Sequence, residues 1–483
     1  MNPIKKMFDI SALLPSSGAL GEVPSTRQAY KDVVDIALPS VTEMVLMSLI
    51  MSIDTMLVGK TVSSTGIAAI GLVAQPRMLL LCFFFALNTG VTAIVARRKG
   101  ENRQEEANRT LRNALAIILG LALLLMTLGL LFSRQLMLFA GAQADTVEVA
   151  ETYFRILAWM LPVNGITMCV CAAQRGVGNT RIAMFVNIVS NLTNVVFSYL
   201  LIGGNFGFPR LEVAGAAYAA AIGMGVGFVL SLVTLFETKH AKAPQFLHLR
   251  LSDDWRLDKE TVLSIIKLGG NAMLEQVALR IGFFSYAKIV AGLGTEAFAA
   301  HHISMQFLNI SFTFGDGIGI AGTSLVGQML GKKRPDLAHV YGKASQRMAL
   351  VVSLVLASII VVFRHPLVSL FADPSEAGDV LDLAANVLII VALFQPFQTT
   401  AVVISGALRG AGDNRFVAGI MMLCVAIIRP TVSLLSIWAL REVFGRADIA
   451  LMGAWAASLV DMIIRMVCVY KRFNGGKWHD IRV

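Results

Sequence analysis

The sequence predicts an all-α membrane protein in which twelve transmembrane helices form two six-helix lobes, related by a pseudo-two-fold axis along the membrane normal. Composition is the first observation: 56% of the 483 residues are hydrophobic and only 15% are charged, whereas a soluble domain is about half apolar and a quarter charged. The second is a series of apolar segments long enough to cross a bilayer, which takes about 20 residues of helix. The third is an internal repeat that divides the chain into two halves.

The apolar segments number twelve, and their order defines the predicted topology. They cover residues 33–58, 67–95, 111–132, 153–173, 182–203, 213–236, 262–292, 297–329, 345–371, 380–408, 416–440 and 449–470. Residues 1–32 are expected to form a cytoplasmic tail, because their apolar stretch is too short and too broken for a signal peptide. A soluble protein with buried helices is the alternative, and so many long apolar segments in one chain argue against it.

The internal repeat is clearest in two Arg-Gly-x-Gly motifs. Residues 175–181 read R-G-V-G-N-T-R and residues 409–415 read R-G-A-G-D-N-R, and Pro162 and Pro396 recur at the same spacing. Each half holds six spans, so both halves start on the same side of the membrane and are parallel repeats. We expect an N-lobe at 33–236, a cytoplasmic linker at 237–261, a C-lobe at 262–471 and a cytoplasmic tail at 472–483. Arg175 and Arg409 are interpreted as structural residues at tight turns, because a phosphate-binding loop would follow a strand.

The net charge of +10 would suit a nucleic-acid partner, but its distribution indicates a membrane protein. Most lysines and arginines fall in the tails and in alternate loops, as the positive-inside rule predicts for cytoplasmic segments. The basic surface therefore faces anionic lipid, and no nucleic-acid partner is expected. The five cysteines all lie in apolar spans, and the adjacent His301 and His302 would point in different directions on a helix, so neither a metal site nor a cofactor is predicted.

Ionisable residues inside the spans are the candidate functional groups, because each costs free energy in the bilayer and so requires a reason. Glu43 and Asp54 lie about three helical turns apart on one face of the first span, with Met47 and Met51 between them. A membrane-embedded carboxylate such as Asp54 can exchange a proton. The alternative for Asp54 is a solvated position at the outer helix end, since Gly59 and Lys60 follow closely.

The second half offers a matching carboxylate. Glu275, in the seventh span, nearly mirrors Glu43, and together they are expected to make a cavity between the lobes acidic and to bind cationic substrates there. Met47, Met51, Phe283 and Phe284 are the apolar neighbours expected to contact the substrate. The alternative is that both glutamates only bond neighbouring helices. Asp461 and Arg465 are spaced i, i+4 and are predicted to form a structural pair. The remaining charges within spans are Arg77, Arg280, Lys288, Asp316 and Arg429.

Motifs along almost the whole chain resemble the multidrug and toxic compound extrusion (MATE) family of cation-coupled exporters. They are Val58-Gly59 after Asp54, Phe298-Ala-Ala-His301, Leu325-Val-Gly-Gln328 with Gly331, Ala407-Leu-Arg-Gly-Ala-Gly-Asp-Asn-Arg415, and Gly453-Ala-Trp455 with Asp461, Arg465, Arg472 and Gly476-Lys-Trp478. The resemblance implies export of organic, often cationic compounds against inward proton or sodium flow. It assigns cation coupling to Asp54, with Asn194 and Ser198 as its counterparts on the fifth span. Ser198 and Ala220 stand where relatives carry groups that could ligate sodium, which favours protons.

Other functions remain as alternatives. A lipid-linked oligosaccharide flippase of the same superfamily is the nearest, although its strongly basic cavity and additional helices differ from this pattern. A membrane enzyme is not supported, because no zinc motif, serine triad or phosphate loop is present. The expected protein is thus a non-enzymatic monomer of the bacterial inner membrane, with both termini cytoplasmic and a small organic substrate.

Overall fold

The structure, a computed structural model, describes residues 8–15, 18–61, 64–144, 146–236, 246–250, 253–370, 374–445 and 449–481. Side chains are described over the same ranges except at 51–61, 64–65, 67–68 and 374–378. Every regular element in these ranges is helical, which confirms the all-α prediction.

The first six predicted spans correspond to seven helices, and one further short helix lies between the third and fourth spans. In chain order these are α1 Thr26–Thr61, α2 Ser64–Gly100, α3 Gln104–Leu131, the short α4 Ser133–Phe139, α5 Val147–Trp159, α6 Leu161–Gly176, α7 Thr180–Gly203 and α8 Glu212–Val233. The fourth span is broken between α5 and α6, which meet at a 49° bend. Pro162 lies in the first turn of α6, where a proline is tolerated because the backbone N–H groups of that turn have no partner within the helix.

The second half repeats the series. Its helices are α9 Lys259–Ala291, α10 Thr295–Gly331, α11 Pro335–Val368, α12 Pro374–Gly410, α13 Asn414–Met421, α14 Arg429–Trp438 and α15 Ala450–Asn474. The eleventh span runs through α13 and α14 and contains two π-helical segments, Met422–Ile428 and Ala439–Val443.

Ten of the described helices are long and apolar enough to cross a membrane, and the bent α5–α6 pair makes an eleventh. Helix α10 is the remaining predicted span. It has 37 residues, but Gln306, Asn309 and Asp316 lower its mean hydropathy. With α10 included, the helices account for all twelve predicted spans.

The chain packs as two units, one formed by Met1–Val41 with Leu274–Val483 and the other by Thr42–Met273. The division falls inside α1 and inside α9. The early part of α1 therefore belongs to the core of the unit built from the second half, where Ala29, Val33 and Ala37 share a buried cluster with Ile318 and Leu325.

Glycines set a close helix contact in that unit, between α10 and α12. Gly406 and Gly410 form a G-x-x-x-G pair on α12, and a methyl group at Gly406 would lie 2.7 Å from the Gly319 carbonyl oxygen. A methyl group at Gly410 would overlap the Thr323 carbonyl. Small residues at such spacing let two membrane helices approach backbone to backbone.

Both tails pack against the start of α11 in the same unit. On the N-terminal side, the Leu20 amide donates to Asp336 at 3.0 Å, Arg334 donates to the Glu22 carbonyl at 3.0 Å, and the Tyr341 hydroxyl donates to Asp32 at 2.6 Å. On the C-terminal side, Trp478 is fully buried and stacks on Phe473, with 4.8 Å between ring centroids.

Candidate functional site

Glu43 is held in the unit of residues 42–273 by two donors from α6 and α7. Its side chain is nearly completely buried. Arg175, at the end of α6, and Asn187, on α7, both donate to Oε1, the amide at 2.7 Å. The second carboxylate oxygen, Oε2, is buried and has no hydrogen-bond partner among the described residues. The site therefore joins three helices through one carboxylate.

Glu275 repeats this arrangement in the other unit. It lies on α9, is also nearly fully buried, and accepts a hydrogen bond from Arg409 of α12 at 2.6 Å. In the internal repeat, Glu43 is equivalent to Glu275 and Arg175 is equivalent to Arg409. Each half therefore carries one copy of the same ion pair.

The sequence predicts structural arginines at tight turns, and glutamates that either make a cavity acidic or only bond neighbouring helices. The structure pairs each glutamate with the arginine of its own half, as the second alternative for the glutamates predicts. The nearly equal glutamate-to-arginine separation in the two halves was the signal that could have revealed the pairing. Each pair is formally neutral, so neither glutamate carries a negative charge without a counter-charge.

The residues assigned to cation coupling by resemblance lie on α1 and α7. Ser198 is fully buried and its hydroxyl is 3.5 Å from the Asn194 side-chain oxygen, one turn away. This face of α7 packs closely on α8, where the Ser190 hydroxyl donates to the Gly223 carbonyl at 2.8 Å. The backbone of Asp54 is helical, but the side chains of Asp54 and Met51 lie outside the described residues, and Met47 is half-buried.

The two phenylalanines expected near Glu275 face different surroundings. Phe283 is half-buried, with the Arg429 guanidinium 5.0 Å from its ring centroid and Phe312 edge-on at 6.5 Å. Phe284 is 73% exposed on the isolated chain. The structure therefore places Phe283, and not Phe284, among the buried charged groups of this unit.

Asp461 lies between two arginines. The predicted partner, Arg465, is 3.7 Å away, but Arg429 donates through Nε and Nη2 at 2.9 and 2.6 Å. The expected pair is thus present, but it is part of a three-membered cluster in which Arg429 is the closer partner. All three side chains are at most 2% exposed, so two guanidinium groups share one buried carboxylate.

Arg429 directly follows the π-helical segment Met422–Ile428. A π-helical turn shifts the register of the residues after it, and such turns are frequent at functional sites. Gly282 of α9 packs directly against this wider segment. A methyl group at Gly282 would overlap the Val425 carbonyl.

No metal centre is found in the part of the chain that the structure describes: no cluster of three or more His, Cys, Asp or Glu side chains could hold an ion there. His301 instead packs against Tyr286 and Trp455, at 5.4 Å between ring centroids in both cases.

Two homologous bundles of long apolar helices, each with its own buried glutamate–arginine pair, define a duplicated membrane transporter. The MatE family model matches residues 39–200 and again residues 272–435. The chain therefore belongs to the MatE family, whose members are transporters and not enzymes. The double match also reproduces the internal repeat.

Curated relatives agree over nearly the full length. The chain is 26% identical over 464 residues to a probable multidrug resistance protein NorM of Thermotoga maritima, covering 95% of this chain and 94% of that one. It is 28% identical over 372 residues to a probable multidrug resistance protein NorM of Rhizobium meliloti, covering 75% and 76%.

Solved structures share the fold. One is described as the outward-facing conformation of a multidrug resistance MATE family transporter of the MOP superfamily, with a TM-score of 0.83, 20% identity, and coverage of 93% of this chain and 97% of that one. Another is a MOP superfamily transporter from Pyrococcus furiosus described as having a binding pocket of reverse polarity, with a TM-score of 0.82 at 18% identity and the same coverage. The predicted two-lobe architecture is thereby confirmed.

Proposed function

We propose that this protein is a secondary active exporter of organic, cationic amphipathic compounds, driven by inward proton flow through alternating access. Membership of the MatE family carries the proposal, together with relatives described as probable multidrug resistance proteins. The predicted location of the protein is the bacterial inner membrane, with both termini in the cytoplasm.

Coupling is assigned to Asp54, assisted by Asn194 and Ser198. The described members of this group supply one amide and one hydroxyl 3.5 Å apart, which are neutral groups. A single carboxylate with neutral hydrogen-bonding partners can carry one proton, whereas a hard cation prefers several oxygen ligands that include carboxylates. This composition supports protons over sodium.

The experiment measures efflux from proteoliposomes with pH and sodium gradients imposed separately. Wild type should transport under a pH gradient in sodium-free buffer, and Asp54→Asn should abolish this transport while still inserting normally. Glu148→Gln is the matched control, because Glu148 is an exposed carboxylate at the start of α5. Transport that stops without sodium and resumes when sodium is added at fixed pH would refute proton coupling, and wild-type rates in Asp54→Asn would remove Asp54 from the mechanism.

A further inference from the structure

Helix α10 carries polar side chains on its exposed face. The five residues that are exposed between Ala300 and Gly331 are His302, Gln306, Asn309, Ile310 and Asp316. All of them except Ile310 are polar. At 3.6 residues per turn, the four polar residues lie within about 80° of one another around the helix axis and extend for about 21 Å along it. They therefore form one continuous stripe, which we call the α10 polar face.

This composition differs from that of a surface in contact with lipid. On α11 the exposed residues of the segment 351–363 are apolar except for Ser358, and Val362 is 70% exposed. Inside a membrane, an ionisable side chain faces the bundle interior or a water-filled cavity, because contact with hydrocarbon is costly. Asp316 lies about 22 Å along α10 from the end of the helix at Gly331. We therefore expect the α10 polar face to border water within the membrane.

The internal repeat shows that the fold itself does not require these polar residues. With Gly100 aligned on Gly331, Asn309 corresponds to Met78 and Asp316 corresponds to Phe85 of α2. Met78 and Phe85 are also exposed, at 36% and 42%, but both are apolar. The two halves thus keep the exposed positions and differ in their polarity, which indicates that the charge of Asp316 has a role other than packing.

Asp316 also differs from the other carboxylates of the spans in its counter-charge. Glu43, Glu275 and Asp461 each accept a hydrogen bond from an arginine. Within the ranges that the structure describes, no lysine, arginine or histidine lies within ion-pair distance of Asp316. Its electrostatic interaction with a cation is with Arg409, which already forms the ion pair with Glu275. The negative charge of Asp316 is therefore the least compensated of the four.

The level of Asp316 against α1 is set by the next residue. A methyl group at Gly317 would lie 2.9 Å from the Cα atom of Val41. The ionisable residues of α1 whose side chains lie outside the described residues are Asp54 and Lys60. At 1.5 Å per residue, their Cα atoms are about 20 Å and 28 Å from Val41 along the helix. Asp316 is thus separate from the proposed coupling residue.

Aromatic side chains lie next to Asp316. Phe312, one turn earlier on α10, is half-buried, and its ring is edge-on to Phe283 of α9 with 6.5 Å between the centroids. A carboxylate beside aromatic rings suits an amphipathic organic cation, because the carboxylate attracts the charge and the ring faces attract both the cation and its apolar groups.

From these observations, and resting on the proposed function, we propose that the α10 polar face lines the aqueous route of export. Asp316 binds the cationic group of the substrate there, and Phe312 contacts its apolar part. This adds a substrate-binding carboxylate to Glu43 and Glu275, and it is the one that no arginine of the described ranges neutralises by a direct ion pair.

Cysteine labelling tests the aqueous face without requiring transport. The variants are Gln306→Cys and Asn309→Cys on the α10 polar face and Val355→Cys on the apolar face of α11. Each full-length protein, in lipid nanodiscs, is treated with a charged, membrane-impermeant methanethiosulfonate reagent. The native cysteines are buried or half-buried, and wild type gives their background. The two α10 variants should react about tenfold faster or more than Val355→Cys, because the reactive thiolate forms in contact with water.

Ligand binding tests the charge of Asp316. The probes are tetraphenylphosphonium, a cation, and triphenylphosphine oxide, a neutral compound with similar rings, measured by equilibrium dialysis in uncharged detergent. Asp316→Asn should weaken binding of the cation about tenfold or more and change binding of the neutral probe less than about twofold, because a carboxylate attracts a cation more strongly at an effective dielectric below that of water. Asp316→Glu should keep the preference. Glu296→Gln is the control and should also keep it, since Glu296 is an exposed carboxylate at the start of the same helix.

A second measurement covers the case in which Asp316→Asn fails to fold. Tetraphenylphosphonium should slow the labelling of Asn309→Cys, two turns before Asp316, and triphenylphosphine oxide should slow it less. Equal protection by the two probes would contradict the assignment of the charge to this site.

The proposal is overturned if the α10 cysteines react no faster than Val355→Cys, or if wild type does not prefer the cation. It is also overturned if folded Asp316→Asn keeps the wild-type preference, a result that leaves the proposed function intact when wild type still exports the cation from proteoliposomes. Conversely, a wild type that binds the cation through Asp316 but exports it under neither gradient would refute the proposed function and support the site on α10.

Discussion

At the residue scale, the cluster of Arg429, Asp461 and Arg465 is the most demanding feature of the molecule. Burying charge costs several kcal/mol per ion, and the cost is recovered only where the partners have good geometry. Arg429 meets this condition with two hydrogen bonds to one carboxylate oxygen. Arg465 does not: it is farther from Asp461, and its Nε has no hydrogen-bond partner among the described residues. The three residues therefore contribute unequally.

We predict that Asp461→Asn destabilises the protein most, by about 3–5 kcal/mol, because it leaves two buried guanidinium groups without a counter-charge. Arg429→Gln should cost less, since Arg465 remains near the carboxylate. Arg465→Met should cost least, because it removes the excess positive charge and leaves an apolar side chain between Met421 and Met462. Unfolding in detergent gives the order, and equal losses for Asp461→Asn and Arg465→Met would contradict it.

At the element scale, the contact between α10 and α12 depends on glycines, which have no side chain to keep the two backbones apart. Gly406 and Gly410 bring the α12 backbone against Gly319 and Thr323 of α10. Between membrane helices, van der Waals contact of this kind contributes to association because lipid is as apolar as the helix surface. The same logic applies where Gly342 of α11 receives the Phe473 ring beneath the C-terminal tail.

Gly410→Ala should lower stability by about 1–3 kcal/mol, because the new methyl group overlaps the Thr323 carbonyl and α12 must shift. Gly419→Ala is the control, since a methyl group there meets no atom within 4 Å, and its effect should stay within about 0.5 kcal/mol. Thermal unfolding of both variants measures the difference. A Gly410→Ala protein as stable as the control would show that the two helices are not in close contact.

The C-terminal tail should undock as the pH falls. Burial lowers the pKa of His479, with neighbouring Asp480 acting in the opposite direction, and its ring packs edge-on against Trp478 at 4.2 Å. The docked tail therefore favours neutral histidine, while the undocked tail binds a proton once the pH falls below about 6.5. Docking is fully stabilised above that value and weakens below it.

Hydrogen exchange of residues 476–481, corrected for intrinsic rates, should show protection at pH 7.5 that decreases towards pH 5.5. His479→Gln should reduce this dependence. We assign any pH dependence that remains in this variant to His339, which stacks on Phe473 in the same aromatic group. Constant protection across the range in wild type would exclude the mechanism.

At the scale of the whole molecule, duplication produces two copies of one buried ion pair. The proposed selection of cationic substrates by Glu43 and Glu275 must operate in the presence of these arginines. A cation can be attracted only by a carboxylate oxygen that the arginine leaves free, such as Glu43 Oε2, or when the pair opens. The proposed charge selection therefore involves the same four residues that bond the helices of each half.

A series of matched cationic and neutral ligands separates the two roles. Glu43→Gln and Glu275→Gln should each lose affinity for the cation preferentially, and the double variants Glu43→Gln/Arg175→Gln and Glu275→Gln/Arg409→Gln should do the same while restoring charge balance. The double variants control for stability, because they leave no unpaired arginine. The glutamates would have only a role in bonding helices if cationic and neutral ligands lost affinity equally. The same conclusion would follow if the added arginine substitution restored the lost affinity.

Much of this fold was predictable from sequence, because a span must be both long and apolar. The break at Met160 was not predictable, because Pro396, the counterpart of Pro162 in the repeat, lies inside the unbroken α12. The Asp461 cluster was only half predictable: Arg465 shares its helix at i, i+4, but Arg429 reaches the carboxylate from a different span whose register is changed by a π-helical segment.

The assignment of the first 41 residues to the core of the second half has a consequence for biosynthesis. Ile10, Leu13, Ala29 and Val33 leave the ribosome long before the buried residues they share a cluster with, which lie between Ile318 and Trp478. At about 5–20 residues per second, translation must continue for roughly 15–60 s before the first of those partners exists. The start of the chain must therefore wait, apolar and unpacked, until the last helices are inserted. A nascent chain truncated before α10 would lack all the fully buried partners of these residues from Ile318 onwards.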